Sequence, residues 1–154
     1  MNKEQLSDKH RLHHIGIVVR DVHAAQKTYL KYFAEKNTTC KFEYVPSQKV
    51  KICMISSPGQ TTVELIEPAG EDSPVFEFSR DGGGLHHLCY ETEDIESSIK
   101  DLGMKIIVKP IIGFENRKIA FVYERTGDMG VSLIELAETK QHQVLRKKGE
   151  YNYE

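Results

Sequence analysis

The sequence contains no long hydrophobic run and no excess of charge of either sign. Its 154 residues carry 21 lysines and arginines against 23 aspartates and glutamates, for a net charge of −2. That balance gives no electrostatic reason to expect nucleic acid or an anionic membrane as a partner. No stretch approaches the roughly 20 apolar residues of a membrane span, and the start, "MNKEQLSDKHRLHH", lacks the apolar core of a signal peptide. We therefore expect a cytoplasmic protein.

Cysteine is also scarce. The three cysteines, Cys40, Cys53 and Cys89, are an odd number at no metal-ligand spacing, and two of them lie in apolar, strand-like runs. Disulfide frameworks and cysteine-rich zinc sites need paired or closely spaced cysteines. We therefore expect reduced and mostly buried thiols.

What the sequence does contain is an internal repeat. The stretches "LHHIGIVVRD" at 12–21 and "LHHLCYETED" at 85–94 each join Leu-His-His, a strand-like run and a closing aspartate. The segments that follow have helical spacing, and Asp21 and Asp94 can cap those helices. Three β-rich runs come next in each half: "CKFEYVP", "KVKICMIS" and "TTVELIEP", then "KIIVKPI", "KIAFVYE" and "VSLIELAE".

The repeat predicts an α+β fold of two tandem βαβββ modules. One module would leave a face of its sheet exposed, so we expect the two to pack as paired, partly open β-sheets that enclose a metal-binding cleft. The predicted limits are an N-terminal tail at 1–10, a first module at 11–68, a connector at 69–84, a second module at 85–138 and a polar C-terminal tail at 139–154.

One histidine of each pair is predicted to point into that cleft, because alternate residues of a strand share a face. His14 is the candidate in the first module, and His87 is its equivalent 73 residues later. The closing strands "VELIEP" and "LIELAE" likewise align Glu64 with Glu135.

Two histidines and two glutamates form a donor set for one divalent ion, such as Zn, Co, Mn, Ni or Fe, with positions left for water or substrate. A single histidine or glutamate on a strand is more often a structural residue. The matched occurrence of both types in both modules favours a metal centre, because two facing buried carboxylates would otherwise repel each other.

These motifs resemble the vicinal oxygen chelate superfamily (glyoxalase, bleomycin resistance protein and dioxygenase), and most of all its methylmalonyl-CoA epimerases. The matching stretches are "HHIGIVVRD", "VELIEPAGEDSPV", "GGGLHHLCYETEDIESSI" and "IAFVYERTGDMGVSLIEL", and they extend from about residue 11 to residue 138. The resemblance implies a homodimer and a metal bound by His14, Glu64, His87 and Glu135. The chain departs from the pattern at Ile52, where some epimerases carry a glutamate, and at "FVYER", which replaces "FLHPK".

The resemblance and the donor set together predict an isomerase that works through an enolate. A metal that binds two neighbouring oxygens stabilises the enolate of a dicarbonyl or acyl-CoA thioester. Glu135 is predicted to be a ligand and the base, and Glu64 a ligand and a partner on the opposite face of the substrate. Gln48, Arg117 and Lys118 could hold the carboxylate or thioester.

Three other functions compete with this prediction. A glyoxalase I-like lactoylglutathione lyase would use the same four ligands, but insertions suited to glutathione are not evident. A non-catalytic drug-binding protein of this fold typically lacks the ligand set. An extradiol dioxygenase would use two histidines and one glutamate, so Glu64 counts against it.

The remaining histidines carry no predicted chemistry. His13 is expected at the surface or a strand edge, together with His10 and His23. His86 is expected to face away from the cleft, in the core or in support of its neighbour His87, and His142 lies in the polar tail.

Overall fold

The computed structural model describes residues 10–34, 36–125 and 131–140. The predicted tails, including His142, therefore lie almost entirely outside the described residues. The elements are, in chain order, β1 (Arg11–Val18), α1 (Val22–Tyr29), β2 (Thr39–Val45), β3 (Val50–Ser56), β4 (Thr62–Pro68), α2 (Phe76–Arg80), β5 (Gly84–Thr92), α3 (Ile95–Leu102), β6 (Lys105–Ile112), β7 (Lys118–Arg125) and β8 (Val131–Glu138). This order confirms the predicted α+β class and the doubled βαβββ pattern, with α2 in the connector. No helix of the described segments is long and apolar enough to cross a membrane.

The chain forms two compact units. The first unit is His13–Leu88, and the second combines Met1–Leu12 with Cys89–Glu154. The predicted module limits at 11–68 and 85–138 stay a prediction.

In the first unit the strands lie in the order β2-β3-β4-β1. β1 and β4 are parallel neighbours, and Gly16 lies opposite Glu64. The other two pairings are antiparallel. Helix α1 begins after Asp21, whose carboxylate accepts hydrogen bonds from the backbone N–H groups of His23 and Ala24, both at 2.9 Å. The predicted cap is therefore present.

The two faces of this sheet carry different side chains. Val22 of α1 packs with Cys53, Ile55 and Leu65 in a buried apolar cluster. Because strand residues alternate, Glu64 points to the opposite face from Leu65. One face of the sheet is thus occupied by the core, and the other is available to polar side chains.

In the second unit the strands lie in the order β8-β7-β6 and are antiparallel. Helix α3 begins after Asp94, whose carboxylate accepts a hydrogen bond from the N–H of Ser97 at 2.8 Å, and it ends before Gly103, which has a φ of 63°. Only glycine adopts such a backbone without strain. On β8, Glu135 lies opposite Phe121 of β7, and Leu136 lies opposite Ala120.

Cys40, Cys53 and Cys89 are not joined in disulfides, and Cys53 and Cys89 are buried while Cys40 is half-buried. Burial, followed by the nearby Cys40, raises the pKa of Cys53 to about 12. An unfolded thiol ionises at about pH 8.5. As the pH rises, the thiol therefore ionises in the unfolded state before it does so in the folded state, and this ionisation stabilises the unfolded state. We expect the contribution of Cys53 to the free energy of unfolding to fall between about pH 8.5 and about pH 12.

The measurement is denaturant unfolding at a series of pH values, with Cys53→Ala as the control that removes the group. The variant should lose this part of the pH dependence. Identical profiles for the two proteins would contradict the prediction.

Candidate metal centre

Three strand segments of the first unit bring two histidines and one glutamate together. His14 lies on β1, and Glu64 lies on the neighbouring strand β4. His87 lies near the start of β5. The side chains are buried, with exposed fractions of 0% for His14, 5% for Glu64 and 3% for His87. Three of the four predicted ligands thus lie together in one unit.

The nitrogen and oxygen atoms of these side chains converge. Nε2 of His14 lies 3.0 Å from Oε2 of Glu64, and Nε2 of His87 lies 3.4 Å from the same oxygen. The two Nε2 atoms are 3.2 Å apart, and the imidazole rings meet edge to face with centroids separated by 5.4 Å. All three ligand atoms lie within 4.8 Å of one another. This is a compact set of two nitrogens and one oxygen.

The glutamate of this set is held in its charged form. Burial alone would raise the pKa of Glu64. The charge of His14 and hydrogen bonds with His14 and His87 outweigh burial and hold the pKa of Glu64 well below its ordinary range. A buried carboxylate beside two imidazole nitrogens matches the donor preference of Zn and of other first-row divalent ions, whereas Ca and Mg prefer oxygens alone. The residues present therefore fit a divalent transition metal.

The fourth predicted ligand, Glu135, belongs to the second unit. It lies on β8 with an exposed fraction of 2%. Its position on the closing strand corresponds to that of Glu64 on β4, as the internal repeat predicts. Its place among the ligands stays a prediction.

The predicted substrate-binding residues have different surroundings. Gln48 is half-buried in the turn between β2 and β3. Arg117 is 3% exposed, and its guanidinium contacts Glu91 at 2.8 Å and Glu115 at 3.6 Å. Within the second unit the guanidinium is therefore already engaged by two carboxylates.

Lys118 follows Arg117 at the start of β7 and also has acidic neighbours. Its ammonium group contacts the carboxylate of Glu96, and it lies 3.7 Å from that of Glu138. Substrate binding by Gln48, Arg117 and Lys118 stays a prediction.

A contact joins the two histidines of each pair, and only that of His86 with His87 was among the expectations from the sequence. Nδ1 of His13 lies 2.7 Å from Nδ1 of His14, and Nδ1 of His86 lies 2.8 Å from Nδ1 of His87. His13 and His86 are half-buried. The sequence feature that could have indicated these contacts is the repeated Leu-His-His, because the repeat contains both histidines of each pair and not only the proposed ligand.

Gly16 provides the space for His87. A β-carbon at Gly16 would lie 2.3 Å from Cε1 of His87 and 2.6 Å from both ring nitrogens. The variant Gly16→Ala must therefore displace the ring, and we expect the affinity for Co²⁺ to fall at least about 10-fold. Competition with a chromophoric chelator measures this affinity.

The matched control is Gly59→Ala in the same unit, where a φ of 75° strains the backbone of an alanine but the added methyl group meets nothing within 4 Å, so it controls for a loss of stability without a clash at the site. It should bind Co²⁺ as the wild type does. An unchanged affinity in Gly16→Ala would contradict the proposed placement of His87.

Known proteins agree with this fold. The sequence matches the Glyoxalase/Bleomycin resistance protein/Dioxygenase superfamily over residues 13–121. The ethylmalonyl-CoA/methylmalonyl-CoA epimerase of Cereibacter sphaeroides is 32% identical over 133 residues, which cover 82% of this chain and 96% of the relative. The human mitochondrial methylmalonyl-CoA epimerase is 31% identical over 134 residues, which cover 82% of this chain and 72% of the human protein.

A solved structure is similar over nearly its whole length. It is a variant of the Streptomyces coelicolor methylmalonyl-CoA epimerase in complex with 2-nitronate-propionyl-CoA, with a TM-score of 0.68 and 26% identity. The match covers 86% of this chain and 99% of that one. With the superfamily match over residues 13–121 and relatives above 30% identity, the resemblance inferred from the motifs is confirmed. The chain belongs to the glyoxalase/bleomycin resistance protein/dioxygenase superfamily.

Proposed function

We propose that this protein is a metal-dependent epimerase that moves the proton beside the carbonyl of an acyl-CoA thioester, as methylmalonyl-CoA epimerases do. The observation that carries the proposal is the convergence of the Nε2 atoms of His14 and His87 on the buried carboxylate of Glu64. The relatives named epimerases support the reaction class.

The proposed metal ligands are His14, Glu64 and His87, together with Glu135 from the equivalent strand of the second unit. A bound divalent ion supplies electrophilic stabilisation of the negative charge that develops on the carbonyl oxygen of the substrate. The imidazoles bind as neutral donors, and the carboxylates balance the charge of the ion. Burial of the ligands excludes water, so this charge stabilisation is stronger than at the protein surface.

The two glutamates are suited to different tasks. Oε2 of Glu64 lies 3.0 Å and 3.4 Å from the Nε2 atoms of the two ligand histidines, a position that suits a metal ligand. We therefore assign proton removal to Glu135, with Glu64 chiefly a ligand and, at most, the partner for the opposite face of the substrate. Different surroundings commonly separate the roles of two carboxylates in this way.

The substrate is proposed to be an acyl-CoA with an acidic proton next to its carbonyl. The Streptomyces coelicolor relative was solved with 2-nitronate-propionyl-CoA. A nitronate is a planar anion with its negative charge on two oxygens, so it resembles the enolate formed by proton loss. In this chain Gln48, Arg117 and Lys118 are proposed to hold the polar groups of the substrate. We propose a homodimer in the cytoplasm.

The test follows the C2 proton of methylmalonyl-CoA by NMR in deuterated water with Co²⁺- or Mn²⁺-loaded protein. Loss of the C2 signal at an enzyme-dependent rate is the expected result. No exchange in any metal-loaded form would contradict the proposal for this substrate. A parallel assay with the hemithioacetal of methylglyoxal and glutathione would then detect a glyoxalase-type lyase.

A further inference from the structure

We propose that His13 and His86 are positioning residues for the metal centre, each holding the ligand histidine that follows it in the chain. Each accepts a hydrogen bond from Nδ1–H of its neighbour, so that Nε2 of His14 and of His87 faces the metal. The inference rests on the metal centre of the proposed function.

The same arrangement occurs in both copies of the repeat. The Nδ1 atoms are 2.7 Å apart in the pair of His13 and His14, and 2.8 Å apart in the pair of His86 and His87. The ring centroids are 5.1 Å apart in both pairs, with interplanar angles of 82° and 83°. Such close agreement between pairs that lie 73 residues apart indicates that the same contact is part of the repeated module, and that the two contacts are not unrelated.

The distribution of protons on these rings follows from the ligand atoms. A neutral imidazole has one nitrogen that donates and one that accepts. Because Nε2 of His14 must offer its lone pair to a metal, its proton lies on Nδ1 and points to Nδ1 of His13. His13 therefore accepts at Nδ1 and carries its own proton on Nε2. The same assignment applies to His86 and His87.

Metal-binding histidines usually donate this second N–H to a carboxylate, a backbone carbonyl or water, which fixes the ring and the tautomer. Here the acceptor is a neutral imidazole. It orients the ligand without adding negative charge beside an ion that the glutamate ligands already neutralise. A smaller negative charge around the ion preserves its power to stabilise an anionic substrate.

The histidine of the second copy is itself held in place. The ring of Phe78, on α2, meets the ring of His86 edge to face, with centroids 5.1 Å apart and an interplanar angle of 84°. Aromatic pairs prefer this geometry. The connector helix therefore fixes the acceptor, which in turn fixes the ligand.

The test compares two substitutions that differ in the acceptor. His13→Phe retains a ring but places a C–H group where Nδ1 stood, whereas His13→Asn places the carbonyl Oδ1 there. We expect His13→Phe to weaken Co²⁺ binding about 10- to 100-fold and His13→Asn to restore most of that affinity. The pair His86→Phe and His86→Asn should behave in the same way.

Two readouts distinguish positioning from general stability. Chelator competition gives the Co²⁺ affinity, and the visible absorption of bound Co²⁺ reports its ligand geometry, which His13→Phe should alter and His13→Asn should preserve. His23→Phe is the control, because His23 is an exposed histidine of the same unit that stacks on Phe42 at 4.5 Å and is not one of the proposed ligands. Circular dichroism shows whether each variant is folded.

Normal Co²⁺ affinity and spectrum in His13→Phe and His86→Phe would overturn the inference and leave the metal centre standing. Equal losses in the Phe and Asn variants would also overturn it. A wild-type protein that binds no divalent ion would overturn both the inference and the metal centre. If the Phe and Asn variants differ in Co²⁺ affinity as expected but the wild type does not exchange the C2 proton of methylmalonyl-CoA, the inference is supported and the proposed substrate is contradicted.

Discussion

Replacing Glu135 by glutamine is expected to lower proton exchange at C2 of methylmalonyl-CoA by about 10²- to 10⁴-fold, the usual contribution of a positioned general base. The amide has nearly the same volume as the carboxylate but cannot accept the proton. Because Glu135 is 2% exposed on β8, an isosteric change preserves the packing better than a truncation would. NMR in deuterated water measures the exchange rate, and the bound metal is determined in the same sample.

The matched control is Glu93→Gln, because Glu93 is an exposed glutamate that follows β5 in the same unit. It should exchange the proton at the wild-type rate. Full exchange by Glu135→Gln with its metal in place would show that another group is the base. Loss of the metal along with the activity would instead assign Glu135 chiefly to metal binding.

Removing the metal is expected to lower the exchange rate at least about 100-fold, because electrophilic stabilisation by a metal contributes several kcal/mol to such reactions. Co²⁺ or Mn²⁺ should restore the rate. Ca²⁺ should not, because it prefers a shell of oxygen ligands and two of the proposed ligands are imidazoles. The measurement is the same NMR assay on chelator-treated protein with each ion added back.

Thermal unfolding provides a second readout that does not depend on the substrate. An ion that binds only the folded state stabilises it by about 2.7 kcal/mol when its concentration is 100 times Kd. Co²⁺ should therefore raise the Tm of the wild type but not that of the double variant His14→Ala, His87→Ala. Undiminished exchange in protein verified to be free of metal would contradict a metal-dependent mechanism.

Much of the architecture follows from local features of the sequence. Asp21 and Asp94 cap α1 and α3 as predicted, because their short side chains reach the free N–H groups of the first helical turn. The element order follows from alternating and helical periodicities with turn residues between them. The ligand candidates followed from the repeat, since equivalent positions in two copies of a module share a face.

Other features depend on which strands are neighbours. Alternation predicts the face on which Glu64 lies, but only the parallel pairing of β1 and β4 places it opposite Gly16, where His87 fits against a residue without a side chain. Arg117 was predicted as a substrate contact from its charge alone. Its ion pair with Glu91 joins residues 26 positions apart, which no local pattern records, whereas its second partner, Glu115, is a near neighbour in the chain.

The sequence by itself determined the class of fold, the helix caps and the set of candidate ligands, because each of these depends on periodicity and on a repeat that can be read along the chain. The tertiary structure alone decided that three of those ligands converge on one point, that His13 contacts His14, although it was expected at the surface or a strand edge, and that His86 supports His87, which was one of its two expected places. The physical reason is that the direction of a side chain within its strand depends on rotamers and on packing against other strands, and neither is encoded in residue spacing.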